Sequence, residues 1–169
     1  MQIKTVDHPW QHYIIDDFLD QHDFSLVYDH CNQYTNLKTE REQHWYDKES
    51  EIYDLFYFYA YHFISKIDQI KKVDKYNFQC ERSICAPEYD YNEIHVDAKG
   101  KVFSIVLYVS NHGRGTEIYS LPTRSSFQKI VEWKQNRAFA FFRSDKSWHN
   151  FANIGVHFPR VTINSFFSK

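Results

Sequence analysis

The chain has 169 residues, a formal net charge of −2 and an apolar share of 43%. That length fits one domain, and that apolar share excludes an intrinsically disordered chain. The near-neutral charge argues against a large nucleic-acid footprint, and only 4 Gly and 4 Pro exclude low-complexity linkers.

The three cysteines, Cys31, Cys80 and Cys85, are too few for a disulfide framework and read as reduced thiols. Residues 1–4 carry no apolar leader, and the longest apolar run, 55–60, is too short to span a bilayer. A cytoplasmic protein without membrane contact is expected. The sequence does not set an oligomeric state.

In chain order, residues 12–18 (HYIIDDF) read as an opening strand. Asp20 is placed to cap a helix running to Tyr34, with Phe24, Val27, Cys31 and Tyr34 near helical spacing. Residues 36–50 are polar and irregular and read as a surface loop, a candidate lid. Ser50 is the expected cap of a second helix, whose Ile52, Phe56, Tyr59, Phe63, Ile67 and Ile70 form one apolar stripe. From residue 76 the period changes to two. Segments 102–109 (VFSIVLYV), 138–142 (AFAFF) and 161–167 read as strands with turn signals between them. The expected fold is mainly β with N-terminal helices (α+β), closing as a sandwich or jelly roll. One domain over 1–169 is expected, with the opening strand and supporting helices in 1–75 and the β core in 76–169.

The chemistry-bearing residues lie in that second part. His95-Val96-Asp97 is the chain's His-x-Asp pair, and 10 His and 13 Asp in 169 residues give about 0.8 such pairs by chance. Context adds weight. Strand alternation would put both side chains on one face, supplying an imidazole and a carboxylate for a metal. A 2-His-1-carboxylate iron site needs one more imidazole and open positions. His149 is preferred, because an apolar strand and a tight turn lead into it; His112 and His157 are rivals. Arg160 lies 11 residues beyond His149 and heads a strand that puts Arg160, Thr162 and Asn164 on one face. A guanidinium pointing inward needs an anion, and its planar fork fits a carboxylate.

Taken together, the stretches APEYDYNEIHVD (86–97), KVFSIVLYVS (101–110), GTEIYS (115–120), NRAFAFFRSDKSWHNF (136–151) and PRVTINSFF (159–167) resemble the Fe(II)- and 2-oxoglutarate-dependent oxygenase superfamily, in its small prolyl-hydroxylase-like branch. The opening segment 12–20 is similar too. The resemblance implies a double-stranded β-helix, a cupin-like jelly roll, behind N-terminal helices. It implies Fe(II) on His95, Asp97 and His149, with Arg160 on the distal carboxylate of 2-oxoglutarate and Thr162 as a hydroxyl partner. Tyr91 is the choice among Tyr89, Tyr91 and Tyr108 for a tyrosine contacting the co-substrate. The implied reaction consumes O2 and 2-oxoglutarate, yields succinate and CO2, and hydroxylates an amino acid, peptide or small molecule. A metal-ligating Asp97 disfavours halogenation, and the lack of a basic residue between Arg160 and Lys169 disfavours nucleic-acid demethylation. The competing readings are a non-catalytic jelly-roll binding module and a cupin-type iron enzyme that does not use 2-oxoglutarate.

Overall fold

The structure is a computed structural model, and it describes residues 1–33, 39–67, 75–91 and 93–169. The first third alternates strands and helices: β1 (Gln2–Val6), β2 (His12–Asp16), α1 (Gln21–Asn32), β3 (Arg41–Trp45) and α2 (Glu51–Lys66). Seven strands follow: β4 (Asn77–Cys85), β5 (Lys101–Tyr108), β6 (Thr116–Tyr119), β7 (Phe127–Val131), β8 (Ala138–Phe142), β9 (His149–Phe151) and β10 (Arg160–Ser168).

The strands form two antiparallel sheets. The larger has the order β1-β2-β8-β5-β10-β4-β3 and the smaller β7-β6-β9. In β5, period two sends Phe103, Ile105 and Leu107 into the main core, while Ser104, Val106 and Tyr108 take the opposite face. In β10, Val161, Ile163 and Phe167 join that same core. Both helices cover it. Phe24, Val27 and Cys31 of α1, and Ile52, Phe56, Ala60, Phe63 and Ile64 of α2, are buried against the sheet.

A second, smaller core of Trp10, Tyr108, Ile118, Val131, Phe139 and Phe141 binds the other face of the large sheet to the small one.

One local expectation is met at the start of α1, and the strand expected over 12–18 is shorter, ending at Asp16. Asp20 caps α1 by accepting from the Asp23 amide at 2.9 Å. Beta-strand β2 stops at Asp16 because Asp17 turns left-handed (φ 51°). Asn136 holds the chain beyond this turn, accepting from the Leu19 amide at 3.0 Å and donating to the Leu19 carbonyl at 2.9 Å.

Others are corrected. Residues 36–50 are not simply a loop: 41–45 form β3, an edge strand paired with β4. Ser50 has extended backbone at the α2 start, but its side chain makes no cap bond; its carbonyl accepts from Asp54 instead. Besides the opening strand, the first 75 residues also supply β1 and β3 to the seven-stranded sheet. Tyr34 and Ile70 lie outside the described residues. No helix among the described residues is long and apolar enough to cross a membrane.

Candidate active site

His95 and His149 meet across a single antiparallel bridge. Each amide donates to the other's carbonyl, at 3.0 and 2.9 Å. This corrects the expectation of a full strand through His95 and Asp97. The bridge alone fixes the local geometry, and it brings the two rings to 4.5 Å between centroids. The backbone also fixes ring orientation. His95 Nδ1 lies 3.1 Å from the Glu93 carbonyl, and His149 Nδ1 lies 2.9 Å from the Ser147 carbonyl. A carbonyl only accepts, so each Nδ1 is the donor and each Nε2 is left for a partner in the site.

Asp97 completes the group. The ligand atoms of His95, Asp97 and His149 all lie within 4.8 Å of one another. The carboxylate is held from two sides, by the Ser104 hydroxyl at 2.5 Å and by Lys101 at 3.7 Å. Burial alone would raise Asp97. The neighbouring His149 and Lys101 and the Ser104 hydroxyl outweigh it and hold the carboxyl below its ordinary value. Burial, reinforced by His95, pushes His149 down to about 4, so the ring is neutral at physiological pH. Two imidazoles steered by backbone carbonyls and one ionised carboxylate are a donor set that could hold a metal ion.

A cavity of about 120 Å³ opens beside these three residues, between the two sheets. That is several times the room one water needs. Arg160, at the head of β10, also lines it and is only 3% exposed. Its Nε donates to the Arg114 carbonyl at 3.1 Å, and its guanidinium carbon lies 5.1 Å from the Phe151 ring centre and 5.4 Å from that of Trp133. No carboxylate oxygen lies within 4.0 Å of it among the described residues. Burial pulls this guanidinium below its ordinary value, and repulsion from Arg41 adds to the effect.

No protein-family model and no curated protein sequence matches this chain. Solved structures do. A prolyl-4-hydroxylase from Pseudomonas putida superposes with a TM-score of 0.72 at 16% identity, covering 94% of this chain and 92% of that one. The viral collagen prolyl hydroxylase of Paramecium Bursaria Chlorella virus-1, in its complex with 2-oxoglutarate, gives 0.66 at 19% identity, covering 93% and 94%. A Trichoplax adhaerens prolyl hydroxylase, in complex with a hypoxia inducible factor peptide fragment, gives 0.65 at 14% identity, covering 93% and 83%.

The chain has the prolyl-hydroxylase fold.

Within that fold, the cavity gathers four of the six residues singled out from sequence: His95, Asp97, His149 and Arg160. Thr162 shares a face with Arg160 but does not border the cavity; it is fully buried and its Oγ1 has no hydrogen-bond partner. Tyr91 does not line the cavity either. Its ring stacks on Phe151 at 4.8 Å and meets His95 edge-on at 5.5 Å. Tyr89 lies farther out on the same aromatic group. Tyr108 stacks on Trp133 at 4.4 Å, and its hydroxyl donates to Thr116 Oγ1 and accepts from the Thr116 amide. The rival histidines stand apart: His112 stacks on Phe158, and His157 is exposed beside Glu88.

Sequence reasoning missed three wall residues. Arg41 projects from the unexpected β3, its Nε donating to Ser83 Oγ at 3.3 Å. Glu81 of β4 is a buried carboxylate that accepts from Gln43 and Asn164. Ser104 supports Asp97. Arg41 is hidden because segment 41–45 is polar but for Trp45 and looks like a loop, whereas Glu81 and Ser104 fall in the period-two region, where alternation does not say which polar residue meets a cavity.

Proposed function

We propose that this chain is an Fe(II)- and 2-oxoglutarate-dependent dioxygenase on a double-stranded β-helix, hydroxylating an amino acid, peptide or small molecule. One observation carries the reading: a His-Asp-His group and a buried arginine without an acidic partner among the described residues face the same small cavity. The likeness in fold to a 2-oxoglutarate complex and to a peptide complex of prolyl hydroxylases supports both the co-substrate and the substrate class.

In this reading His95, Asp97 and His149 hold iron, leaving open positions for the oxo-acid and O2. Iron and 2-oxoglutarate together supply the oxidising power, with succinate and CO2 as products. The chain's own residues bind and orient. The Glu93 and Ser147 carbonyls keep both imidazoles in the ligating tautomer. Ser104 and Lys101 keep Asp97 charged. Arg160 takes the distal carboxylate, which relieves the cost of its buried charge. Phe141, which meets His149 edge-on at 4.9 Å, and Phe151 keep water from the metal side of the cavity.

The test is succinate release from 2-oxoglutarate with Fe(II) and O2, against pooled amino acids, peptides and small metabolites. Turnover that needs all three components is expected. Turnover indifferent to 2-oxoglutarate would point instead to a cupin-type iron enzyme of another kind, and failure to bind Fe(II) to a non-catalytic module.

A further inference from the structure

Strand register puts two arginines on either side of one residue. Cys85 of β4 is the direct partner of Arg160 on β10 and of Arg41 on β3. Directly opposed residues of antiparallel strands point to the same face. Arg41 and Arg160 therefore flank Cys85 on the cavity face, on strands about 10 Å apart, twice the usual strand spacing. Their guanidinium carbons each lie 5.1 Å from the centre of the same Phe151 ring. Both line the one cavity.

Neither has an acidic partner within 4.0 Å among the described residues. Each Nε is held by a neutral oxygen, Ser83 Oγ for Arg41 and the Arg114 carbonyl for Arg160. Ser83 is the register partner of Thr162, whose hydroxyl is unpaired. The two arginines and the two hydroxyls thus share one patch of β10, β4 and β3. Glu81, the acid on this wall, sits four residues along β4 from Cys85 and is already held by Gln43 and Asn164. Two like charges brought together without a counter-ion repel; a carboxylate between them removes that cost and gains two charged hydrogen-bond donors.

We propose that Arg41 is the second arm of a two-arginine clamp on the distal carboxylate of 2-oxoglutarate. The proposal rests on the co-substrate reading above, and it gives the polar edge strand β3 a role in ligand binding.

The test is calorimetric titration without oxygen of Mn(II)-loaded protein with two probes. One is 2-oxoglutarate; the other is 2-oxopentanoate, in which a methyl group replaces the distal carboxylate. Arg41→Gln should weaken 2-oxoglutarate binding about tenfold or more, the scale of one lost charged hydrogen bond, and leave 2-oxopentanoate within about twofold of wild type. Arg41→Lys, which keeps charge and stem and serves if the Gln variant does not fold, should give an intermediate loss. Equal loss for both probes, or 2-oxoglutarate affinity within about twofold of wild type in Arg41→Gln, overturns the clamp. Arg160→Gln in the same titration separates the two levels. Wild-type affinity there overturns the co-substrate reading itself, whereas a loss confined to Arg160→Gln overturns only the clamp.

Discussion

The two faces of the seven-stranded sheet are built to opposite specifications. The outer face presents Phe78, Phe103, Leu107, Ile163 and Phe167 to α1 and α2, a closed apolar layer. The inner face, on β10, β4 and the edge strand β3, carries Arg160, Asn164, Glu81, Ser83 and Arg41 around a cavity. Alternation in a strand makes this division possible, since neighbouring residues answer to different environments. Burial on the outer face stabilises the fold. The inner face costs stability, because it holds a buried guanidinium without an acid and a buried hydroxyl without a partner. Such a cost is kept where a ligand relieves it.

Substitutions can sharpen or break this contrast. The largest stability effect belongs to the outer face: Phe167→Ala should cost about 3–5 kcal/mol in urea unfolding. A loss below about 1 kcal/mol would mean the helices do not close that layer tightly. On the inner face, Arg160→Met should leave unfolding free energy equal or higher, because an apolar side chain of similar length replaces an uncompensated buried charge. The same variant should weaken 2-oxoglutarate binding about a hundredfold, the loss expected of a bidentate charged pair. A clear fall in stability would break the contrast.

An acid titration of the metal-free protein comes next. His12 is fully buried, and burial pushes its ring down to about 4 from an ordinary 6.5. The unfolded chain therefore binds the extra proton first. Stability is complete above pH 6.5 and falls progressively toward pH 4. His12→Leu should reduce that slope, and the part that remains belongs to His149, which burial lowers likewise. An unchanged slope would show that His12 is not the group that charges on unfolding.

The smallest effect is at the surface end of β2. Asp16 is paired with Arg137 and Lys134, and the Arg137 hydrogen bond holds it down to about 2. Its contribution is present above pH 3.8 and lost as pH falls toward 2. Because the pair is partly exposed, Asp16→Asn should cost less than about 1 kcal/mol at pH 7.

The same contrast explains what could be read from the sequence. The outer face was legible because it is apolar at period two: 102–109, 138–142 and 161–167 each overlap an observed strand. Helix α2 was legible from its stripe, of which Ile52, Phe56 and Phe63 are buried. His149 and Arg160 could be placed because recognisable strands lead into or out of them.

The rest was hidden for a physical reason. Beta-strand β3 reads Arg-Glu-Gln-His-Trp because its inner side borders a polar cavity and its outer side is largely solvated, so no apolar periodicity survives. His95 and Asp97 have the right spacing, but a single bridge, not a ladder, holds them. Tyr91 shares their parity, yet it stacks on Phe151 instead of lining the cavity, because the backbone there is not a strand and parity does not set its direction.

The most direct measurement is equilibrium dialysis of the purified chain against Fe(II) in the absence of oxygen, for wild type and His149→Ala. One ion per wild-type chain is expected, with uptake by the variant lower by at least about a hundredfold in affinity. Equal uptake by the two proteins would contradict a metal centre made of His95, Asp97 and His149.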